Sequence, residues 1–196
     1  MHRLILATRN AHKTREFAEI LGGGFVVCDL TGMENVPVVE ETGATFEENA
    51  ILKALSASRC VSGLVVSDDS GLEVALLGGA PGVRSARYAG ENATDGENVA
   101  KVLAELRKTG AAMPEYAACF HCVLALAEAG EIVHTFHGTV RGAIVPTPRG
   151  ARGFGYDPIF IPEGYTETFA ELGDAVKNGI SHRARAIARL RRRFVV

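Results

Sequence analysis

No stretch of this 196-residue chain approaches the roughly twenty apolar residues that a membrane helix needs. The first apolar run, Met1-His2-Arg3-Leu4-Ile5-Leu6-Ala7, has strand length and is too short for the core of a signal peptide, so a soluble cytoplasmic protein is expected. Charge of one sign is also lacking. The 21 Lys+Arg and 23 Asp+Glu leave a formal net charge of -2, which argues against a protein that coats nucleic acid or an anionic membrane by bulk attraction. Cysteine is scarce, and Cys119 and Cys122 lie in an apolar alternating run with Cys28 and Cys60 elsewhere. Buried thiols in a reducing compartment fit that placement better than zinc ligands or disulfides. A Walker glycine loop is missing, and Gly22-Gly23-Gly24 lies at the wrong end of its helix to replace one, which disfavours a P-loop ATPase or kinase.

What the chain does have is 47% hydrophobic composition and 22 glycines separating short apolar runs, the pattern of an α/β protein with one substantial core or two small lobes. Residues 3–7 read as a strand, and Asn10 caps a helix with Phe17, Ile20 and Leu21 at helical spacing. Phe25 to Cys28 gives the next strand. Thr45 with Glu48 is a capping box that opens a helix reaching about Val61, and Thr94 with Glu97 opens another with Val99, Val102, Leu103 and Leu106 inward. Tyr116 to Ala127 and Glu131 to Val145 form an antiparallel hairpin about Gly130, which makes the sheet mixed.

The stretch around which the chain is organised is Ser67-Asp68-Asp69-Ser70-Gly71. It follows the apolar segment Gly63-Leu64-Val65-Val66 and reads as a buried strand delivering carboxylates, through a turn, to a sheet edge. Adjacent carboxylates repel, so both stay ionised cheaply only beside a cation, a hydrogen-bond network or open water. An Asx-rich turn capping a strand is the plainer alternative. Thr8, Asn10 and Lys13 at a helix start could grip a phosphate, or form an ordinary capped surface helix. Glu40 or Glu41 could approach the Asp68/Asp69 pair and complete a metal site, or be solvated loop charge. In Gly150-Ala151-Arg152-Gly153-Phe154-Gly155-Tyr156-Asp157-Pro158 the aromatics could stack on a planar ligand and Asp157 could accept its hydrogen bonds; a glycine loop with an aromatic plug is the alternative. Lys177, His182 and Arg183 supply donors ahead of a helix with Ala184, Ile187, Leu190 and Phe194 inward. Arg185, Arg189 and Arg191 to Arg193 form its solvated basic face.

In their order these motifs closely resemble the inosine/xanthosine triphosphate pyrophosphatase family. The resemblance rests on Thr8-Arg9-Asn10-Ala11-His12-Lys13, Glu40-Glu41-Thr42-Gly43 through Glu48-Asn49-Ala50-Ile51-Leu52-Lys53-Ala54, Ser67-Asp68-Asp69-Ser70-Gly71, Gly78-Gly79-Ala80-Pro81-Gly82 with Ser85-Ala86-Arg87-Tyr88, Phe120-His121-Cys122, Gly153 to Pro158, and Ser181-His182-Arg183. It implies an α/β fold in which an elongated mixed β-sheet flanked by helices forms two lobes around a nucleotide cleft. Residues 1–196 would be one domain, in a homodimer. It also implies Mg²⁺-assisted cleavage of ITP, dITP and XTP between the α and β phosphates, giving the monophosphate and pyrophosphate. By the same resemblance Asp69 is the general base, and Asp69 and Glu41 are the metal-site residues. Thr8, Arg9, Asn10, Ala11, His12, Lys13 and Lys53 hold the triphosphate with Ser70. Phe154, Gly155, Tyr156 and Asp157 contact the base, and Lys177, His182 and Arg183 read its edge. A pyrophosphatase for pyrimidine or modified triphosphates would share the phosphate and metal grip. A non-catalytic nucleotide- or RNA-binding module would use the final arginines, and Asp68/Asp69 counts against it.

Overall fold

The computed structural model describes residues 1–111 and 116–194. Strands β1 (His2–Leu6), β2 (Phe25–Asp29), β3 (Val65–Val74), β4 (Ala117–Glu128), β5 (Glu131–Ile144) and β6 (Phe160–Pro162) form a six-stranded sheet in the order β2-β1-β3-β4-β5-β6. β1 runs parallel to β2 and β3, and β6 runs antiparallel to β5, so the sheet is mixed as expected. Helices α1 (Ala11–Leu21), α2 (Phe46–Ser58), α3 (Asp95–Lys108), α4 (Phe169–Leu172), α5 (Asp174–Ile180) and α6 (His182–Arg192) flank it. Among the described residues no helix is long and apolar enough to cross a membrane.

The caps act as their residue types require. Asn10 Oδ1 accepts the His12 and Lys13 N–H groups, and Thr45 and Thr94 each close a capping box, with Glu48 and Glu97. α2 stops at Ser58, one turn before the expected Val61. The larger departure is at Asp68-Asp69-Ser70-Gly71, where no turn forms. β3 continues for ten residues through that stretch, and its register with β1 ends at Val66, so the carboxylates lie inside a strand, just past the C-terminal end of its parallel neighbour. Ladder pairing and burial on both faces outweigh the turn preference of the four residues.

Two compact units divide the chain. The first holds residues 1–69, 122–138 and those from 182 onward; the second holds 70–121 and 139–181. In the first, sheet alternation separates two cores. Leu4, Leu6 and Val66 pack with Phe17 and Leu21 of α1 and Ile187 and Leu190 of α6. Ile5, Ala7 and Val65 pack on the opposite face with Ala57 of α2. The second unit is built on Leu72 and Val74 of β3, the α3 stripe Val99-Val102-Leu103-Leu106, and a cluster of Phe120, Phe160 and Phe169. The Phe160 and Phe169 rings stack with centroids 5.3 Å apart.

Close approach within the first unit depends on Gly138 in β5. A Cβ there would stand 2.0 Å from the His182 carbonyl oxygen and 2.5 Å from the Ala186 nitrogen, both backbone atoms of α6 that cannot step aside. Gly138→Ala is expected to cost about 1–3 kcal/mol, seen as a lowered melting temperature. Gly23→Ala, where an added Cβ meets nothing within 4 Å, is the control and should leave the melting temperature nearly unchanged. Equal melting temperatures for the two variants would contradict the close packing of β5 on α6.

Candidate active site

Successive strand side chains point to opposite faces, and along β3 this sends the two adjacent carboxylates apart. Ser67 and Asp69 face α2, where the Ser67 hydroxyl donates to the Ala50 carbonyl and Lys53 meets Asp69. Asp68 lies on the side of Val66, towards α1 and α6. The sequence expectation of a side-by-side repelling pair is therefore corrected: each carboxylate has its own cationic partners.

Asp68 is the anion of a buried network. Arg183 Nε donates to its Oδ2 at 2.8 Å and Arg183 Nη2 to its Oδ1 at 3.2 Å. Lys13 Nζ donates to Oδ1 at 2.8 Å, and the Cys122 thiol lies 3.3 Å from Oδ2. Arg183 Nη1 donates to Glu16 Oε2, which closes a ring, because Glu16 and Lys13 are three residues apart on one face of α1. Burial opposes ionisation of Asp68, but the Arg183 and Lys13 charges overcome it and hold the carboxyl well below the usual carboxylate range. Burial likewise opposes the Arg183 charge, and Asp68 and Glu16 hold it well above its ordinary value.

On the other face Lys53 Nζ donates to Asp69 Oδ1 at 2.5 Å, to Glu41 Oε1 at 2.7 Å and to the Asp68 carbonyl at 2.9 Å. Burial pushes the Asp69 carboxyl up to about 6; Lys53 opposes the rise and Glu41 adds to it. Two neighbouring carboxylates thus have opposite proton affinities, the arrangement that separates a permanent anion from a group able to take up a proton near neutrality. Asp69 Oδ2 makes no hydrogen bond among the described residues. Of Glu40 and Glu41, it is Glu41 that joins Asp69 on one cation.

The remaining expected residues of the first unit fall as follows. Thr8 ends the β1 segment, with its hydroxyl accepting the Asn10 N–H at 3.1 Å. Arg9 donates to the carbonyls of Met33 and Val36, at 3.3 and 2.7 Å, so it ties down the loop after β2. Asn10 caps α1, Ala11 and His12 are exposed in its first turn, and His182 is buried at the start of α6.

In the second unit Ser70 follows Asp69 along β3 and is half-buried. Asp157 Oδ2 accepts from Lys177 Nζ at 2.7 Å and from the Phe154 N–H at 2.9 Å. Lys177 Nζ also sits 4.6 Å from the centre of the half-buried Phe154 ring. Gly153 permits this loop: its φ is +75°, and a Cβ would stand 2.1 Å from Asp157 Oδ2. The Gly155 N–H donates to Asp95 Oδ2 at 2.7 Å. Tyr156, expected as a stacking surface, is 4% exposed with its ring in the core, and its hydroxyl donates to the Ser85 carbonyl at 2.8 Å. That acceptor is what allows the phenol to be buried.

Glu16 and Cys122 were not among the expected site residues. The signal for Glu16 was its i+3 spacing from Lys13, beside the buried Phe17.

A model of the Ham1 family matches residues 4–193. The dITP/XTP pyrophosphatase of Geobacillus kaustophilus is 48% identical over 97% of this chain and 93% of its own length. That of Bacillus subtilis is 48% identical over 97% and 96%. Among solved structures, a HAM1 protein from Coxiella burnetii superposes with a TM-score of 0.86 at 43% identity, covering 97% of this chain and 96% of the other. With a family match over nearly every residue and relatives well above the identity at which folds and families are shared, the chain belongs to the Ham1 family.

Proposed function

We propose that this chain hydrolyses non-standard purine nucleoside triphosphates, dITP, ITP and XTP, to the monophosphate and pyrophosphate. The observation that carries this reading is the cluster of Asp69, Lys53 and Glu41, with the Asp69 carboxyl raised to about 6, in a chain 48% identical to dITP/XTP pyrophosphatases.

At neutral pH Asp69 is mostly ionised and still basic enough to accept a proton. Its Oδ1 is held by Lys53, so Oδ2 is the atom that orients a water and takes its proton as the α–β phosphoanhydride opens. Lys53 and Lys13 carry the charge that balances the triphosphate and the departing pyrophosphate. Asp68 keeps Lys13 in place and stays ionised throughout, because Arg183 compensates it.

Glu41 and Asp69 also fit Mg²⁺. They are hard oxygen donors already converging on one cation, the Lys53 ammonium, and Mg²⁺ takes one or two carboxylates with water and phosphate oxygens completing its shell. When bound, the ion supplies charge neutralisation between phosphate and carboxylate.

In the second unit, Phe154 supplies a flat face for the base and Lys177 an ammonium suited to the 6-carbonyl of hypoxanthine or xanthine. Adenine presents an amino donor there, so two donors face each other and the ammonium, already held by Asp157, gains no hydrogen bond from the base. Such a mismatch costs about 1–3 kcal/mol, roughly one to two powers of ten in selectivity.

Pyrophosphate release from dITP, ITP, XTP, ATP, GTP and CTP, each with Mg²⁺ and with chelator, tests the reading. Metal-dependent cleavage of the first three far above ATP is expected, and cleavage of CTP at the same rate would remove the carbonyl-reading account. Asp69→Asn should abolish most turnover yet stabilise the metal-free protein at pH 8. A carboxyl whose folded value is about 6 against an ordinary 3.8 favours the fold when protonated and costs stability once pH rises through 6. Relief of about 2–3 kcal/mol, or about 4–12 °C in melting temperature at this chain length, is therefore expected at pH 8 and should shrink by pH 5. Lys53 keeps Glu41 and the Asp68 carbonyl in that variant. A melting temperature that falls at pH 8 would contradict the raised Asp69 value.

A further inference from the structure

Glu41 lies on a loop, residues 37–45, that belongs to no strand or helix and leaves Val38 85% exposed. Such a segment does not by itself hold a carboxylate in a fixed place. It is fastened to α2: the Ala44 and Thr45 N–H groups donate to Glu48 Oε2 at 2.6 and 3.3 Å, and the Gly43 N–H donates to Asn49 Oδ1 at 2.7 Å. Glu48 acts within the capping box. Asn49 is different, because it is fully buried and stands one helical turn before Lys53, the residue that Glu41 meets. The contact is close enough that a Cβ at Gly43 would lie 2.7 Å from Asn49 Oδ1 and 2.7 Å from Glu48 Cβ, so only glycine brings the loop backbone this near.

The amide of Asn49 is expensive to bury. Its Nδ2 has no hydrogen-bond acceptor among the described residues. A buried donor without an acceptor weakens a fold, so for packing alone an apolar side chain would serve better there. Oδ1, through Gly43, is what accounts for the residue. We propose that Asn49 is a positioning residue for Glu41: by accepting the Gly43 N–H it fixes the loop two residues beyond Glu41, so that the Glu41 and Asp69 carboxylates meet the same cation. This rests on the assignment of Glu41 to the active site made above.

The test compares E41Q, N49A, N49A/E41Q and N49D, reading kcat/KM on dITP, and amide hydrogen exchange at Gly43 and melting temperature in the metal-free protein. E41Q and N49A are each expected to lower kcat/KM about tenfold or more, in keeping with the cost of a misplaced site group. The double variant should fall no further than E41Q, within about twofold, because Asn49 acts through Glu41. Gly43 exchange should accelerate in N49A and stay slow in E41Q. N49D keeps the acceptor and should recover Gly43 protection relative to N49A, with a lowered melting temperature because its carboxyl is fully buried. If N49A does not accumulate as folded protein, N49S, whose hydroxyl falls short of Gly43, takes its place with the same expectations.

Losses that multiply in the double variant would show that Asn49 acts independently of Glu41 and overturn the proposal. So would unchanged activity in N49A beside a crippled E41Q. Full activity in E41Q would instead remove Glu41 from the site, and Gly43 exchange would then report on the clasp alone.

Discussion

The alternation of side chains along β3 is the constraint on which the site depends. A strand gives consecutive residues to opposite faces, and an inner strand of a sheet covered on both sides has no solvent to spare for a charge on either. Asp68 and Asp69 can occupy such positions only because α1 and α6 supply Lys13 and Arg183 on one face while α2 supplies Lys53 on the other. The Asp68 carbonyl links the two sides, since Lys53 donates to it as well. A shift of one residue in the register of β3 would exchange the partners of both carboxylates.

Buried ion pairs of this kind contribute little net stability, because desolvation of the charges offsets their attraction, but removing one member leaves a costly unpaired charge. The ring of Lys13, Asp68, Arg183 and Glu16 balances two cations with two anions, which lets Arg183, 1% exposed, remain charged in the interior. Asp69 is left less well compensated, since burial outweighs Lys53 in setting its proton affinity. The difference between the faces separates a fixed electrostatic anchor from a group that can exchange a proton. Function occupies the less stable of the two positions, in line with the general cost of placing ionisable groups where chemistry requires them.

Much of this was legible in the sequence because it is local. Asn10, Thr45 with Glu48, and Thr94 with Glu97 are caps whose partners lie within four residues, and the stripes on α3 and α6 follow helical period. The hairpin about Gly130 was equally plain, with Ala129 and Gly130 both at positive φ in its two-residue turn. The course of β3 was not legible, since Asp-Asp-Ser-Gly has the composition of a turn and only non-local pairing decides otherwise. Glu16 looks like a surface residue of a charged helix, and Arg183 like a donor for the edge of a base, until α1 and α6 are placed together and the two meet in the interior. Tyr156 was assigned to a ligand face because its acceptor, the Ser85 carbonyl, lies 71 positions away in the chain.

The most direct measurement is a carbon-13 titration of the aspartate carboxyls in the metal-free protein, followed by NMR from pH 8 to pH 4. Asp69 should titrate with a midpoint near 6, and Asp68 should show no protonation across that range. Two carboxyls titrating together near 4 would contradict the account, since they would then share one environment rather than face opposite sides of β3.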